Sequence, residues 1–361
     1  MLQRLVHRLG YCCISALIAC SSVEAGRASN AAGGGVTIAA SGGSAGDPAL
    51  AAQAGEGGEL PVRPPSNLIP ARVRRLANAE YDASVRALLG TERSPASDPD
   101  FPPDLRRDGF TVNALQRVDA VIVERLADAA DALASEAQQN GTLTRLAPCA
   151  GNQTESDCAQ RFISSFGAKA YRRPLLDEEI AALFALYSVG AEGASYQDGI
   201  AQVMRGLLQS AGFLYLTELG DGTRSADGIV QLTPYEIAAS LAYFLTSAPP
   251  DDELLANAVS GKLLDPAERE SQARRLLSSE PGAKDTAVRL VREWLGIDRI
   301  DGSAKDSLVY PNFERDKPSI VAESKDFIRA VAFASTGNVA ELFGARWTVD
   351  SGPLTLYQAA G

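Results

Sequence analysis

The sequence predicts an all-α fold, with a multi-helix body in two helical domains. Apolar residues recur at helical spacing, for example at Ile180, Leu183, Phe184 and Tyr187. Helix-start signals precede several such segments, and the alternation typical of strands is scarce. Apolar residues make up 45% of the 361 positions, which is enough for real cores. A chain of this length has room for two domains of about 150 residues each.

A lipoprotein-type signal peptide is predicted over residues 1–19. A basic start and an apolar stretch too short to span a bilayer lead into Leu17-Ile18-Ala19-Cys20, which resembles a bacterial lipobox. We expect cleavage before Cys20 and lipidation of its thiol. Val23-Glu24-Ala25 offers a plain signal-peptidase site instead. The protein is therefore expected to be exported, as an outer-membrane or cell-surface lipoprotein or as a secreted protein.

Composition then divides the chain. Residues 20–70 are rich in Gly, Ala and Ser and predict a flexible tether. Residues 71–219 form the predicted N-terminal helical domain, and residues 229–361 form the C-terminal one. The turn-rich stretch that opens with Gly220-Asp221-Gly222 marks the boundary.

In the N-terminal domain, we predict a first helix from about Ala71 that buries Val73 and ends at Gly90. A polar, proline-rich loop and a long helix over 113–139 follow. The central unit is three helices: one before Arg172, one after Pro174 and one after Ser195.

In the C-terminal domain, Thr233-Pro234-Tyr235-Glu236 is a capping box with Pro at the first helical position. Asp265-Pro266 precedes a further helix. Apolar periodicity predicts that Phe244, Leu290 and Trp294 face the core, and a last helix covers 320–334.

Several chemistries are excluded. The single histidine, His7, lies in the signal segment, so Ser-His-Asp triads, HExxH zinc sites and haem-binding CxxCH are ruled out. Phosphate-loop and dinucleotide fingerprints are absent, and a net charge of −11 argues against nucleic-acid partners. We therefore assign no catalytic or cofactor-binding residue. Cys149 and Cys158 predict a disulfide in an oxidising compartment.

Two groups of charged residues are candidate sites. Four aspartates between Asp98 and Asp108 share one loop. They are either a solvated surface, a calcium site using Asp104 and Asp108, or an acid pair for glycoside hydrolysis. Arg172 and Arg173 either contact an acidic or sugar ligand or serve structure, by pairing with the following acids or capping the preceding helix.

Three blocks of motifs carry a family resemblance over residues 72–360. They include Arg75-Leu76, Leu88-Leu89-Gly90 and Phe101-Pro102-Pro103-Asp104; then Ala170-Tyr171-Arg172-Arg173-Pro174-Leu175 and Phe213-Leu214-Tyr215; then Tyr243-Phe244-Leu245, Pro250-Asp251-Asp252-Glu253-Leu254 and Trp294-Leu295. The order resembles the secreted planctomycete and myxobacterial proteins built from serial domains of unknown function, some of which carry a cytochrome c module.

The resemblance has departures. Ala77 and Leu176 stand where the family usually has Thr or Ser, so weaker helix N-caps are expected, by about 1 kcal/mol each. The cytochrome motif and the usual C-terminal modules are not found, and we expect a truncated or split gene product.

Two functions are compatible with these features. In the first, the protein is a non-catalytic binding or assembly module, attached to a membrane only through a lipid anchor, whose partner is an envelope protein or a polysaccharide. In the second, it is part of an envelope enzyme or redox assembly whose active residues lie on the C-terminal modules or on a cytochrome partner.

Overall fold

A computed structural model describes residues 72–222, 230–279, 281–334 and 337–349 of the chain. These residues are mainly helical, which confirms the all-α prediction. The predicted signal peptide, Cys20 and the tether lie outside the described residues. Among the helices that are described, none is both long and apolar enough to cross a bilayer.

Two short strands accompany the helices. The strands are β1 Arg72–Arg75 and β2 Tyr215–Glu218. The helices are α1 Asn78–Leu89, α2 Ala120–Gln139, α3 Thr142–Leu146, α4 Glu155–Tyr171, α5 Asp177–Ala191, α6 Tyr196–Gln209, α7 Ala211–Leu214, α8 Pro234–Thr246, α9 Asp252–Val259, α10 Pro266–Ser279, α11 Pro281–Leu295, α12 Phe313–Phe333 and α13 Val339–Gly344.

The first element is a strand, and the prediction of a helix from Ala71 is wrong there. β1 pairs with β2 in an antiparallel ribbon, with Arg72 opposite Glu218 and Arg75 opposite Tyr215. Val73, predicted to be buried, is 46% exposed on one face of this ribbon. Helix α1 starts only at Asn78, and it ends as predicted at Gly90, which takes the left-handed conformation.

The first core forms around α6. Ser195 caps this helix, and its side chain accepts a hydrogen bond from the Asp198 amide. The inward residues that the periodicity predicts are fully buried: Ile200, Val203, Met204, Leu207 and Leu208. Helices α2, α4 and α5 pack around them. Helix α2 begins at Ala120, later than predicted, because the Asp119 carboxylate caps the Ile122 amide.

Two helices of the second half begin at their predicted start signals, α8 after Thr233 and α10 after Asp265, but the predicted start of the last helix, 320–334, is wrong: α12 spans Phe313–Phe333, with Pro318 inside it. Thr233 and Glu236 form the capping box of α8, and the Asp251 side chain caps α9. The predicted inward faces are partly wrong. Phe244 is 73% exposed and Trp294 is 53% exposed. Helix α8 instead packs through alanines and Tyr243, and α11 buries Arg292 and Glu293, because its inner side faces polar cavities.

The three motif blocks meet at one buried hydroxyl group. The Tyr243 hydroxyl lies 2.7 Å from Ser84 Oγ of α1, and Arg172 Nη1 donates to it over 3.3 Å. Tyr243 is almost fully buried. One residue from each block therefore contributes to a single polar contact in the interior.

At Ala77 and Leu176, where the family usually has Thr or Ser, acidic side chains accept hydrogen bonds from the backbone amides of the helix start. At Ala77, the backbone amide donates to Glu80, and the next amide, Asn78, donates to Asp104 over 2.7 Å. At Leu176, the amide donates to Glu179 over 2.8 Å. These helix starts therefore lack a hydroxyl cap but keep a carboxylate acceptor, which also suits the positive end of each helix dipole.

Candidate functional site

An open groove of about 710 Å³ lies on the Val73 face of the ribbon. We call it the tyrosine groove, after Tyr171, Tyr215 and Tyr235 in its walls. Its other polar lining residues include Arg173 and Glu179, and Val73 and Leu219 add exposed apolar surface. Its lining comes mainly from the second and third motif blocks, with Val73 added from β1.

Local sequence explains how the Tyr171 end of the groove is built. Helix α4 ends at Tyr171, and Arg173 lies with its guanidinium carbon 5.7 Å from the Tyr171 ring centroid. Gly212 lies under the same ring, where a Cβ would come within 2.6 Å of a ring carbon. Glycine is therefore required there for close packing, and Tyr171 is held between a backbone and a cation.

The charged pair in the groove, Arg173 and Glu179, is ionised near neutral pH. Arg173 donates two hydrogen bonds of 2.8 Å to Glu179. Burial alone would raise the pKa of Glu179, but the hydrogen bonds from Arg173 and the Leu176 amide outweigh it and lower that pKa. Burial raises the pKa of Tyr171, which keeps its hydroxyl neutral. The groove thus offers aromatic surface and the fixed Arg173–Glu179 ion pair.

Of the two predicted ligand contacts, Arg173 lines the groove and Arg172 serves the fold. The Arg172 side chain is buried at 4% exposure. Its guanidinium donates to the carbonyls of Gly212, Phe213 and Tyr215 over 2.7, 3.0 and 2.9 Å. These carbonyls lie at α7 and the start of β2, so Arg172 fixes the turn from helix into ribbon.

A second cavity, of about 410 Å³, lies on the Arg72 face of the ribbon. Its carboxylates are all engaged by donors. Arg72 and Ser240 donate to Glu218, and Thr111 donates to Glu293. Burial alone would raise the pKa of Glu218, but these hydrogen bonds hold it below its usual value. A carboxylate with a lowered pKa, as at Glu218, is poorly suited to act as a general acid.

The structure separates the two calcium candidates. Asp104 is buried and accepts hydrogen bonds from Arg75 Nη2 and the Asn78 amide, over 2.9 and 2.7 Å. The Asp108 side chain is 88% exposed and contacts Arg107. Within the described ranges, no three His, Cys, Asp or Glu residues cluster as metal ligands. Calcium binding by the pair would require Asp104 to give up both partners.

The predicted disulfide between Cys149 and Cys158 is confirmed. It joins the loop after α3 to the first turn of α4, where Cys158 is buried in the first core. The disulfide therefore ties this polar loop to the start of α4.

Tyr215 and Tyr235 were not singled out as site residues from the sequence. Tyr215 starts a strand that local periodicity did not predict, and Tyr235 lies in the first turn of α8. Only the pairing of the ribbon and the packing of α8 against it bring these side chains to Arg173. No local spacing carries that information.

Comparison with known proteins identifies three domains in this chain. Residues 74–139 match PSD3, a protein of unknown function (DUF1587), and residues 158–218 match PSD5 (DUF1595). Residues 232–357 match PSD4 (DUF1592). No curated protein and no solved structure matches the chain. The chain thus contains three serial domains of unknown function, PSD3, PSD5 and PSD4 in that order, and the tyrosine groove is lined mainly by the PSD5 and PSD4 matches, with Val73 just ahead of the PSD3 match.

Proposed function

We propose that the protein is a non-catalytic binding module of the cell envelope, and that its tyrosine groove binds a polysaccharide. The observation that carries this proposal is the gathering of Tyr215 and Tyr235 with the Arg173–Glu179 pair in one open groove. Tyr171 forms one end of the groove, but its ring faces are covered by Gly212 and Arg173. Aromatic rings offer flat apolar surface with a polar edge, and planar charged groups hydrogen-bond adjacent hydroxyls, which together suit a sugar chain.

The shape and charge of the groove favour a neutral polymer. Its volume of about 710 Å³ is in the range of sites for ligands of several rings. It is open to the surface, so a bound chain need not end inside it. The ion pair in its wall leaves no net charge to recruit a polyanion, and the chain as a whole is acidic, with a net charge of −11.

Binding without turnover is supported by the state of the acids. A glycosidase needs one carboxyl group that holds a proton and a second that is free to act as base or nucleophile. In the groove, Glu179 is bound to Arg173 and to the Leu176 amide. Glu236, which also lines it, accepts hydrogen bonds from the Thr233 and Leu219 amides.

The test is affinity electrophoresis in gels that contain one polysaccharide each, across a neutral and an acidic panel. We expect a neutral polysaccharide to retard the wild type, and Tyr215→Ala and Tyr235→Ala to weaken its binding about threefold to tenfold. Tyr310→Ala is the matched control, because Tyr310 is exposed and does not line the groove. Equal retardation of groove variants and control, or no retardation by any polymer, would contradict the proposal.

Export and anchoring are a separate part of the proposal. They are supported by the lipobox-like Leu17-Ile18-Ala19-Cys20 and by a disulfide in the folded body. Cys20→Ser should release the protein from membranes, whereas Cys13→Ser should leave it anchored, since Cys13 lies in the signal segment. Release of neither variant, or a mature N-terminus at Gly26, would contradict lipidation at Cys20.

A further inference from the structure

A third cavity, of about 390 Å³, lies between α11 and α12 and is closed at one end by the short helix Ile297–Gly302. We call it the cationic pocket. Its side chains are almost all charged, with five basic and four acidic residues in its lining. The buried Val288 is its apolar lining residue. It is distinct from the tyrosine groove, with which it shares no lining residue.

The acids of the pocket do not neutralise all of its cations. Arg292 pairs with Asp301 over 2.7 Å, Arg329 with Asp285 over 2.9 Å, and Arg106 with Asp298. Two further cations have no carboxylate within ion-pair distance among the described residues, although the Arg289 charge acts on Asp104 from farther away. The fourth acid of the lining, Glu293, accepts a hydrogen bond from Thr111. Among the residues that the structure describes, Arg289 donates only to Ser247 Oγ, over 2.7 Å, and Lys325 forms no ion pair or hydrogen bond.

Two buried polar atoms in the same lining also lack partners. Arg292 is 5% exposed, and its Nε donor has no acceptor among the described residues. Oδ1 of Asp298 is buried and receives no donor, since Arg106 donates to Oδ2. A buried donor and a buried acceptor left open in one cavity each cost free energy unless something in the cavity satisfies them.

These features specify the chemistry of a ligand. Unpaired Arg289 and Lys325 call for negative charge, and with Arg292 Nε they call for several acceptor oxygens in a compact group. Asp298 Oδ1 calls for a hydrogen-bond donor on the same ligand. Sulfate and carboxylates carry no proton near neutral pH, and the Asp298 carboxylate would repel them. Inorganic phosphate keeps at least one P–O–H group at neutral pH and meets all of these requirements.

We propose that the cationic pocket binds inorganic phosphate, with Arg289, Arg292 and Lys325 donating to its oxygens and Asp298 accepting its proton. Asp298 then acts as the selectivity residue against sulfate. This inference does not depend on the function proposed for the tyrosine groove.

The test is isothermal titration calorimetry on the full-length chain at pH 7, with inorganic phosphate and sulfate at matched ionic strength. We expect phosphate to bind at least about tenfold more tightly than sulfate, because sulfate leaves Asp298 unsatisfied. A phosphomonoester should bind about tenfold more weakly than inorganic phosphate, since its second pKa of about 6 leaves about a tenth of it protonated.

Three variants assign the roles. Lys325→Gln should weaken phosphate binding about tenfold, while Lys262→Gln, which removes an exposed lysine outside the pocket, should not. Asp298→Asn should abolish the preference for phosphate over sulfate, because an amide can donate to sulfate. Arg106→Gln removes the same Arg106–Asp298 pair and should keep the preference.

Several results would overturn the proposal. The first is absence of phosphate binding, which would mean that solvent satisfies both buried atoms. The others are equal affinity for phosphate and sulfate, and unchanged phosphate binding in Lys325→Gln. A phosphomonoester that binds as tightly as inorganic phosphate would show that the proton is not recognised. Thermal unfolding of each variant checks that a lost affinity does not reflect a lost fold.

Discussion

Replacing Arg172 by leucine should destabilise the protein strongly, because its buried side chain fixes the turn from α7 into β2. Its guanidinium donates to three backbone carbonyls over 2.7 to 3.0 Å and to the Tyr243 hydroxyl over 3.3 Å. Each buried carbonyl that is left unpaired costs about 1–3 kcal/mol. Removing the cost of burying the cation offsets part of this. We therefore expect the free energy of unfolding to fall by about 3–5 kcal/mol, the range for breaking a buried charged contact.

The assay is urea unfolding followed by far-UV circular dichroism, with Arg173→Leu as the neighbouring control. Arg173→Leu leaves Glu179 without its hydrogen-bonded partner. Because the Arg173 side chain is 38% exposed, removing it should lower the free energy of unfolding by less than about 1 kcal/mol. The reasoning would be refuted if Arg172→Leu cost no more than Arg173→Leu, or if its midpoint matched the wild type. If the slope of the unfolding free energy against urea concentration is the same as in the wild type, the variant exposes the same surface on unfolding.

Three further predictions concern pH, the disulfide and close packing. Burial raises the pKa of Asp104 from 3.8 to about 6 despite the hydrogen bond from Asn78 and the Arg75 charge, so the folded state binds a proton more tightly than the unfolded state does. The free energy of unfolding should then increase by up to about 3 kcal/mol as the pH falls from about 7 to 4, and Asp104→Asn should flatten this part of the stability curve; a wild-type slope in the variant would assign it to other groups. Reduction of the disulfide should destabilise the fold by somewhat under about 3 kcal/mol, seen as a lower melting temperature; an unchanged value would mean that the loop is held by other contacts. Gly212→Ala should cost about 1–3 kcal/mol because the new methyl group meets the ring packed on it, whereas Gly151→Ala, with no atom within 4 Å of the added carbon, should change little.

Local signals predicted several helix boundaries, although the starts of α1, α2 and α12 differ from the predicted ones. Ser195 and Thr233 precede helices in the sequence and cap them in the structure, and Gly90 ends α1 in the left-handed conformation. Such signals depend on hydrogen bonds between residues a few positions apart, so a short stretch of sequence is enough to recognise them. The disulfide was predictable from composition, since only Cys149 and Cys158 lie in the part of the chain that was predicted to fold.

The ribbon and the polar cavities were not predictable from the same patterns. β1 pairs with a strand about 146 positions away, and four residues are too few to show a strand period. Helix α11 was assigned the opposite inner face, because apolar periodicity places Leu290 and Trp294 inside. The structure buries Arg292 and Glu293 there instead, against cavities that only the full arrangement of helices creates.

The long separation within the ribbon also bears on how the chain is made. While the ribosome is translating, β1 emerges early and has no partner until β2 has followed it, about 146 residues later. At the usual rates of synthesis, that interval is on the order of ten seconds or more. During it, Arg72–Arg75 is an unpaired edge, and its three arginines disfavour pairing with a second chain. The positive charge of β1 can thus protect the nascent protein from association before it neutralises Glu80, Asp104 and Glu218 in the finished one.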